Sequence, residues 1–128
     1  MKMMLIRKCF FVLVCLSVLS ACEYEFIEIP GPPDDDNLPA VSFSAQVAPI
    51  FAQNGCTNCH GGGTSPNLTA AQAYNSLVTM NLVVPGNPEE SKIYTYPHPV
   101  TGTHNSKYKT IGDANTIYAW IKNGAENN

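Results

Sequence analysis

This 128-residue chain is poor in charge, with seven Lys and Arg against ten Asp and Glu and a formal net charge of −3. So few cations leave no basic surface of the kind nucleic acid requires. The N-terminal apolar run, Cys9 to Leu19, spans eleven residues and contains Ser17; a membrane-spanning helix needs about 20. No glycine-rich phosphate loop and no Ser or Cys nucleophile with a placed base is present. Outside Asp34-Asp35-Asp36, the only adjacent carboxylates are Glu89 and Glu90, and that pair suits the positive end of a helix. Cysteine occurs only at positions 9, 15, 22, 56 and 59, so no second pair completes a four-ligand zinc site. No stretch alternates as a paired strand does, and there is no internal repeat.

The N-terminus accounts for three of the cysteines. Lys2, Arg7 and Lys8 precede the short apolar run, which is the pattern of a secretory signal rather than an anchor. Leu19-Ser20-Ala21-Cys22 resembles the lipobox of bacterial lipoproteins, which implies removal of residues 1–21 and a lipid on Cys22. Plain cleavage at the small residues would instead leave Cys22 as a spare thiol. Cleavage leaves four Lys and all ten acids in the mature chain. Residues 22–40 hold Pro30, Pro32, Pro33, Pro39 and Asp34-Asp35-Asp36, a composition that favours extended, solvated backbone and predicts a linker. The folded domain is expected over 41–128.

Within it, helical spacing stands out three times. Phe43, Val47, Ile50 and Phe51 form one apolar stripe, with Pro49 expected to kink the helix or shift its regular start. Thr69-Ala70-Ala71-Gln72 has the form of a capping box ahead of Tyr74, Leu77 and Val78, predicting a helix to about Met80. Asp113 is the expected cap of a last helix that buries Ile117, Trp120 and Ile121 and closes at Gly124. A short turn is expected at Pro88 to Tyr94, capped by Asn87.

Cys56-Thr57-Asn58-Cys59-His60 carries the chemistry. C-x-x-C-H is the spacing of covalent haem attachment: each thiol adds to one vinyl group and the adjoining imidazole reaches the iron. A small disulfide, a redox dithiol or half a zinc site are the other uses of CxxC, but the flanks lack the βαβ pattern of dithiol oxidoreductases. One haem c is therefore expected. Gly61-Gly62-Gly63 either lets the backbone turn sharply beside the macrocycle or is a plain flexible loop.

Together with Ala48-Pro49-Ile50-Phe51, Val84-Pro85-Gly86-Asn87-Pro88, Ser91 and Trp120-Ile121-Lys122-Asn123-Gly124-Ala125, this motif resembles the class I mono-haem cytochrome c domain of exported bacterial lipoproteins. The resemblance covers Val41 to Asn128. It implies an all-α, small helical domain wrapped around one covalent haem. Cys56 and Cys59 would form the thioethers and His60 would be the proximal iron ligand, its other ring nitrogen donating to a backbone carbonyl. The first and last helices would cross near the haem edge, with Phe51 and Trp120 as the candidate contact.

The family's usual distal Met is missing from Tyr96 to Ile111, where His98 and His104 stand instead. His104 is the favoured distal ligand, with Met80, His98 or an open site as alternatives. The implied function is one-electron carriage without enzymatic chemistry, between redox proteins of the cell envelope, with the membrane reached through the lipid on Cys22 and no nucleic-acid partner. The location implied is the periplasmic face or the outer membrane. The alternative is haem catalysis or gas sensing at an exchangeable distal site.

Overall fold

A computed structural model of the protein describes residues 31–128; the expected signal sequence and the lipid-bearing Cys22 lie outside the described residues. Among the described residues every regular element is helical and there is no strand. No helix among them is long and apolar enough to cross a membrane.

Pro49 shapes the first helix as its chemistry requires. Lacking an N–H, proline suits a first turn and not a helix interior. The chain accordingly starts wide, as a π-helical turn over Phe43–Val47 in which the Val47 amide reaches the Ser42 carbonyl at 3.3 Å. Regular helix α1 begins only at Ala48 and runs Ala48–Gln53, with Pro49 in its first turn. The free amides at the start are covered from far along the chain: Asn128 accepts from Phe43 N–H at 2.7 Å through its side chain and from Ser44 N–H at 2.9 Å through its main chain. Phe43, Val47, Ile50 and Phe51 are all buried, as their spacing predicts.

Helix α2 spans Ala73–Thr79 and ends at Met80. The expected capping box does not form. The Thr69 hydroxyl donates to Asn67 Oδ1 at 2.7 Å, because a nearby Asn competes for it, while the Thr69 carbonyl takes the Gln72 and Ala73 amides at 2.9 and 2.8 Å. A 3₁₀ turn, Pro88–Glu90, leads into the short helix α3, Lys92–Thr95. Asn87 makes no side-chain cap there. Its carbonyl instead accepts from the hydroxyl of Ser91, which is fully buried and also accepts from the Val84 amide, both at 2.9 Å. Ser91 thus stitches the Val84–Asn87 turn, in which Gly86 has φ +81°.

Helix α4, Ile111–Lys122, is capped by Thr110 and not by Asp113. The Thr110 hydroxyl accepts from the Asp113 amide at 3.1 Å. Asp113 sits in the first turn, where the helix dipole favours its charge. At the far end, Gly124 (φ +104°) donates to the Ile121 carbonyl and Ala125 donates to the Trp120 carbonyl at 3.0 and 2.9 Å, a Schellman closure.

The core sits where α4 crosses the first helix. Phe43 meets Trp120 with ring centroids 5.1 Å apart and Tyr74 at 5.2 Å, edge on. Each such pair contributes about 0.5–1.5 kcal/mol beyond its buried area. Across the helix crossing the ring partner of Trp120 is Phe43, while Phe51, buried in the same core, also lines a cavity.

The acidic linker is not wholly solvated. Asp35, in a 3₁₀ turn over Asp35–Asn37, pairs with Lys122 Nζ at 2.7 Å and accepts from the Tyr118 hydroxyl at 2.8 Å. Asn123 Nδ2 donates to the Pro39 carbonyl at 2.9 Å. Hydrogen bonds from Lys122 and Tyr118 hold the Asp35 carboxyl below its ordinary range. Burial, then Asp35, pushes the Tyr118 phenol up to about 12.

Candidate functional site

Where α1 ends, Gly55 takes φ +74° and turns the chain into a 3₁₀ turn, Cys56–Asn58. The Cys59 and His60 amides both fold back on the Cys56 carbonyl, at 3.3 and 2.9 Å. This single turn brings Cys56, Cys59 and His60 into the lining of one cavity of about 340 Å³, within the ordinary range of small-molecule sites. Gly61 is required by the turn: a Cβ there would lie 2.5 Å from the Thr57 carbonyl oxygen. Gly62 has φ +118°, and the space at Gly63 is open. Neither thiol is in a disulfide. Burial pushes the Cys56 thiol up, so it stays protonated at neutral pH.

His104 lines the same cavity. Its ring centroid lies 6.1 Å from that of His60, with the planes at 41°. The segment carrying it is tied down by main-chain bonds: His104 N–H to the Tyr96 carbonyl at 3.0 Å, Gly102 N–H to the His98 carbonyl at 3.0 Å, and Tyr108 N–H to the Pro97 carbonyl at 2.8 Å. Tyr108, buried in the cavity wall, donates its hydroxyl to the Ile93 carbonyl at 2.7 Å. Burial holds that phenol well above its ordinary range. His104 Nδ1 is 2.7 Å from the Ser106 carbonyl and 3.2 Å from the Ser106 amide. One nitrogen cannot donate to the first and accept from the second at once. The shorter contact calls for a proton on Nδ1, pointing away from any partner that Nε2 takes.

The other two candidates separate. Met80 lines the cavity from the end of α2 and is 43% exposed. His98 does not line it. Its Nδ1 accepts from the Val100 and Thr101 amides at 3.3 Å each and lies 3.1 Å from the Thr101 hydroxyl, while its ring packs edge-on against Tyr94 at 5.2 Å. Burial pushes its pKa down. His98 is committed to a turn.

The expected backbone partner of His60 is missing: its Nδ1 is buried and has no hydrogen bond. A buried polar atom left so costs about 1–3 kcal/mol, and here it sits in a cavity wall that is largely apolar. No group of three or more His, Cys, Asp and Glu side chains among the described residues is gathered as a bare metal ion would need. Two imidazoles facing one cavity suit a macrocycle that brings its own four nitrogens.

Lys92, Tyr96 and Tyr108 also line the cavity, and nothing in the sequence marked them. Compared with known families, characterised proteins and solved structures, the chain matches none.

Proposed function

We propose that the chain is a c-type haem protein of the cytochrome c kind that carries one electron in the bacterial cell envelope. The observation that carries this is the meeting of the CxxCH turn with His104 in one cavity, their imidazoles 6.1 Å apart. Imidazoles this close on one cavity would be able to serve a single haem iron together. When bound, haem supplies reversible one-electron chemistry at iron.

The protein's own residues do the rest. Cys56 and Cys59 would hold the macrocycle through thioethers, His60 would ligate the iron on the near side, and His104 on the far side. The Ser106 carbonyl keeps the His104 proton on Nδ1, away from any partner that Nε2 takes. Phe51, Leu68 and Ile93, buried apolar side chains of the cavity lining, would exclude water from the bound group. With two nitrogen ligands the ferric state is favoured, and the potential falls below that of a His/Met protein. Lipid on Cys22 would tether the domain, and its partners would be envelope redox proteins; no nucleic-acid partner is proposed.

The test is an optical and potentiometric titration of the exported protein. The proposal expects a reversible one-electron wave, no far-red methionine-to-iron band when oxidised, and slow binding of carbon monoxide when reduced. Rapid carbon monoxide binding would move the assignment to catalysis or sensing at an exchangeable iron.

A further inference from the structure

The rings of His60 and His104 belong to segments 44 residues apart in the chain, so contacts between those segments help to set their separation. A polar strut links the segment that carries Cys56 to the segment that carries Tyr108. Asn54, the residue that closes α1, donates through Nδ2 to the Ile50 carbonyl at 2.8 Å and to Asp113 Oδ2 at 3.4 Å. Its Oδ1 accepts from the Lys109 amide at 2.5 Å. The Lys109 ammonium returns to the Gln53 carbonyl. One side chain therefore joins the helix that delivers the CxxCH turn, the segment that delivers His104 and Tyr108, and the first turn of α4.

We propose that Asn54 is the positioning residue that holds the His104 segment at iron-ligating distance from His60; this rests on the haem reading above. On the near side, Cys56 follows Asn54 by two residues through the left-handed Gly55, so movement at Asn54 passes directly into the turn. On the far side, Lys109 follows Tyr108, whose amide and hydroxyl are bonded to Pro97 and Ile93. Cutting the Asn54 bond leaves the Lys109 ammonium on the Gln53 carbonyl as the hydrogen bond from this segment to α1, beside its ties to α3 and its own loop. Asn54 touches neither iron nor macrocycle, so its loss should loosen the far ligand while leaving attachment at Cys56 and Cys59 intact.

The experiment compares exported, haem-loaded wild type with Asn54→Ala, Asn54→Asp and Lys109→Met by carbon monoxide association with the reduced protein. Loss of one hydrogen bond of ordinary net strength predicts about a fivefold faster rate for Asn54→Ala. Asn54→Asp keeps the acceptor for the Lys109 amide but turns a carboxylate oxygen toward Asp113 Oδ2 and the Ile50 carbonyl, so its rate should lie between those of wild type and Asn54→Ala. Lys109→Met, which removes only the bond to Gln53, should fall between them. Unchanged rates in Asn54→Ala with haem content intact would overturn the positioning role and leave the haem assignment standing. Wild type without haem would overturn both. Amide hydrogen exchange on wild type supplies a readout independent of any variant's folding: the Lys109 amide should be protected as strongly as that of His104. Exchange of Lys109 at the rate of an open loop would overturn the proposal.

Discussion

Replacing Gly102 with alanine should dislodge the segment that presents His104. Gly102 is buried, and a Cβ built on it would collide with the carbonyl oxygens of Tyr96 and His98 and with the His98 nitrogen. All three are backbone atoms, so no flexible side chain can swing aside. Overpacking of this kind costs about 1–3 kcal/mol. If the strain is relieved by moving residue 102 outward, its bond to the His98 carbonyl is lost, adding about 1 kcal/mol. The sum, about 2–4 kcal/mol, corresponds in a domain of this size to a midpoint lowered by about 10 °C or more. Because the Tyr96 carbonyl struck by the new methyl is also the acceptor for the His104 amide, the damage should fall first on that histidine. Thermal unfolding of Gly102→Ala measures the cost, and NMR of the His104 ring shows where it lands. A change in stability below about 0.5 kcal/mol, with the His104 ring signals unmoved, would refute the packing argument.

Three further outcomes follow from the same contacts. Ser91→Ala strands the part-buried Val84 amide and should lose about 1–3 kcal/mol by denaturant titration; a loss under about 0.5 kcal/mol would mean that water satisfies the amide. Tyr118 titrates near 12 when folded and near 10 when unfolded, so its contribution is complete below about pH 10 and lost as pH rises through about 12. Tyr118→Phe should therefore flatten that part of the alkaline stability curve, and an unchanged curve would contradict the latch between Asp35 and α4. The His98 pKa is depressed in the fold, so its contribution is present above about pH 6.5 and is lost as pH falls through the folded value. An NMR midpoint for the His98 ring at or above 6.5 would contradict its burial as a neutral acceptor.

Helix content and the position of the CxxCH turn were legible because both are local. The stripe of Phe43, Val47, Ile50 and Phe51 has helical period, and Pro49 displaced the regular helix as its missing donor requires. Gly124 closed α4 where a left-handed residue was expected. The caps were misplaced wherever two side chains competed: Thr110 outreached Asp113, and Asn67 drew the Thr69 hydroxyl from its box. Non-local partners left no trace in the sequence. Periodicity does not state that Phe43 reaches Trp120 before Phe51 does, or that Asp35 leaves the acidic run to bind Lys122. At the site, His104, the favoured distal candidate, shares the cavity with His60. His98, flanked by prolines, is turned into its own loop by the amides of Val100 and Thr101.

The account stands on covalent haem at Cys56 and Cys59. Intact mass spectrometry of the exported protein after acid–acetone extraction tests that most directly. The predicted result is a species heavier by one haem than the processed polypeptide with its Cys22 lipid, with the haem mass lost when Cys56 and Cys59 are both replaced by alanine. A wild-type species at the bare polypeptide mass would contradict it.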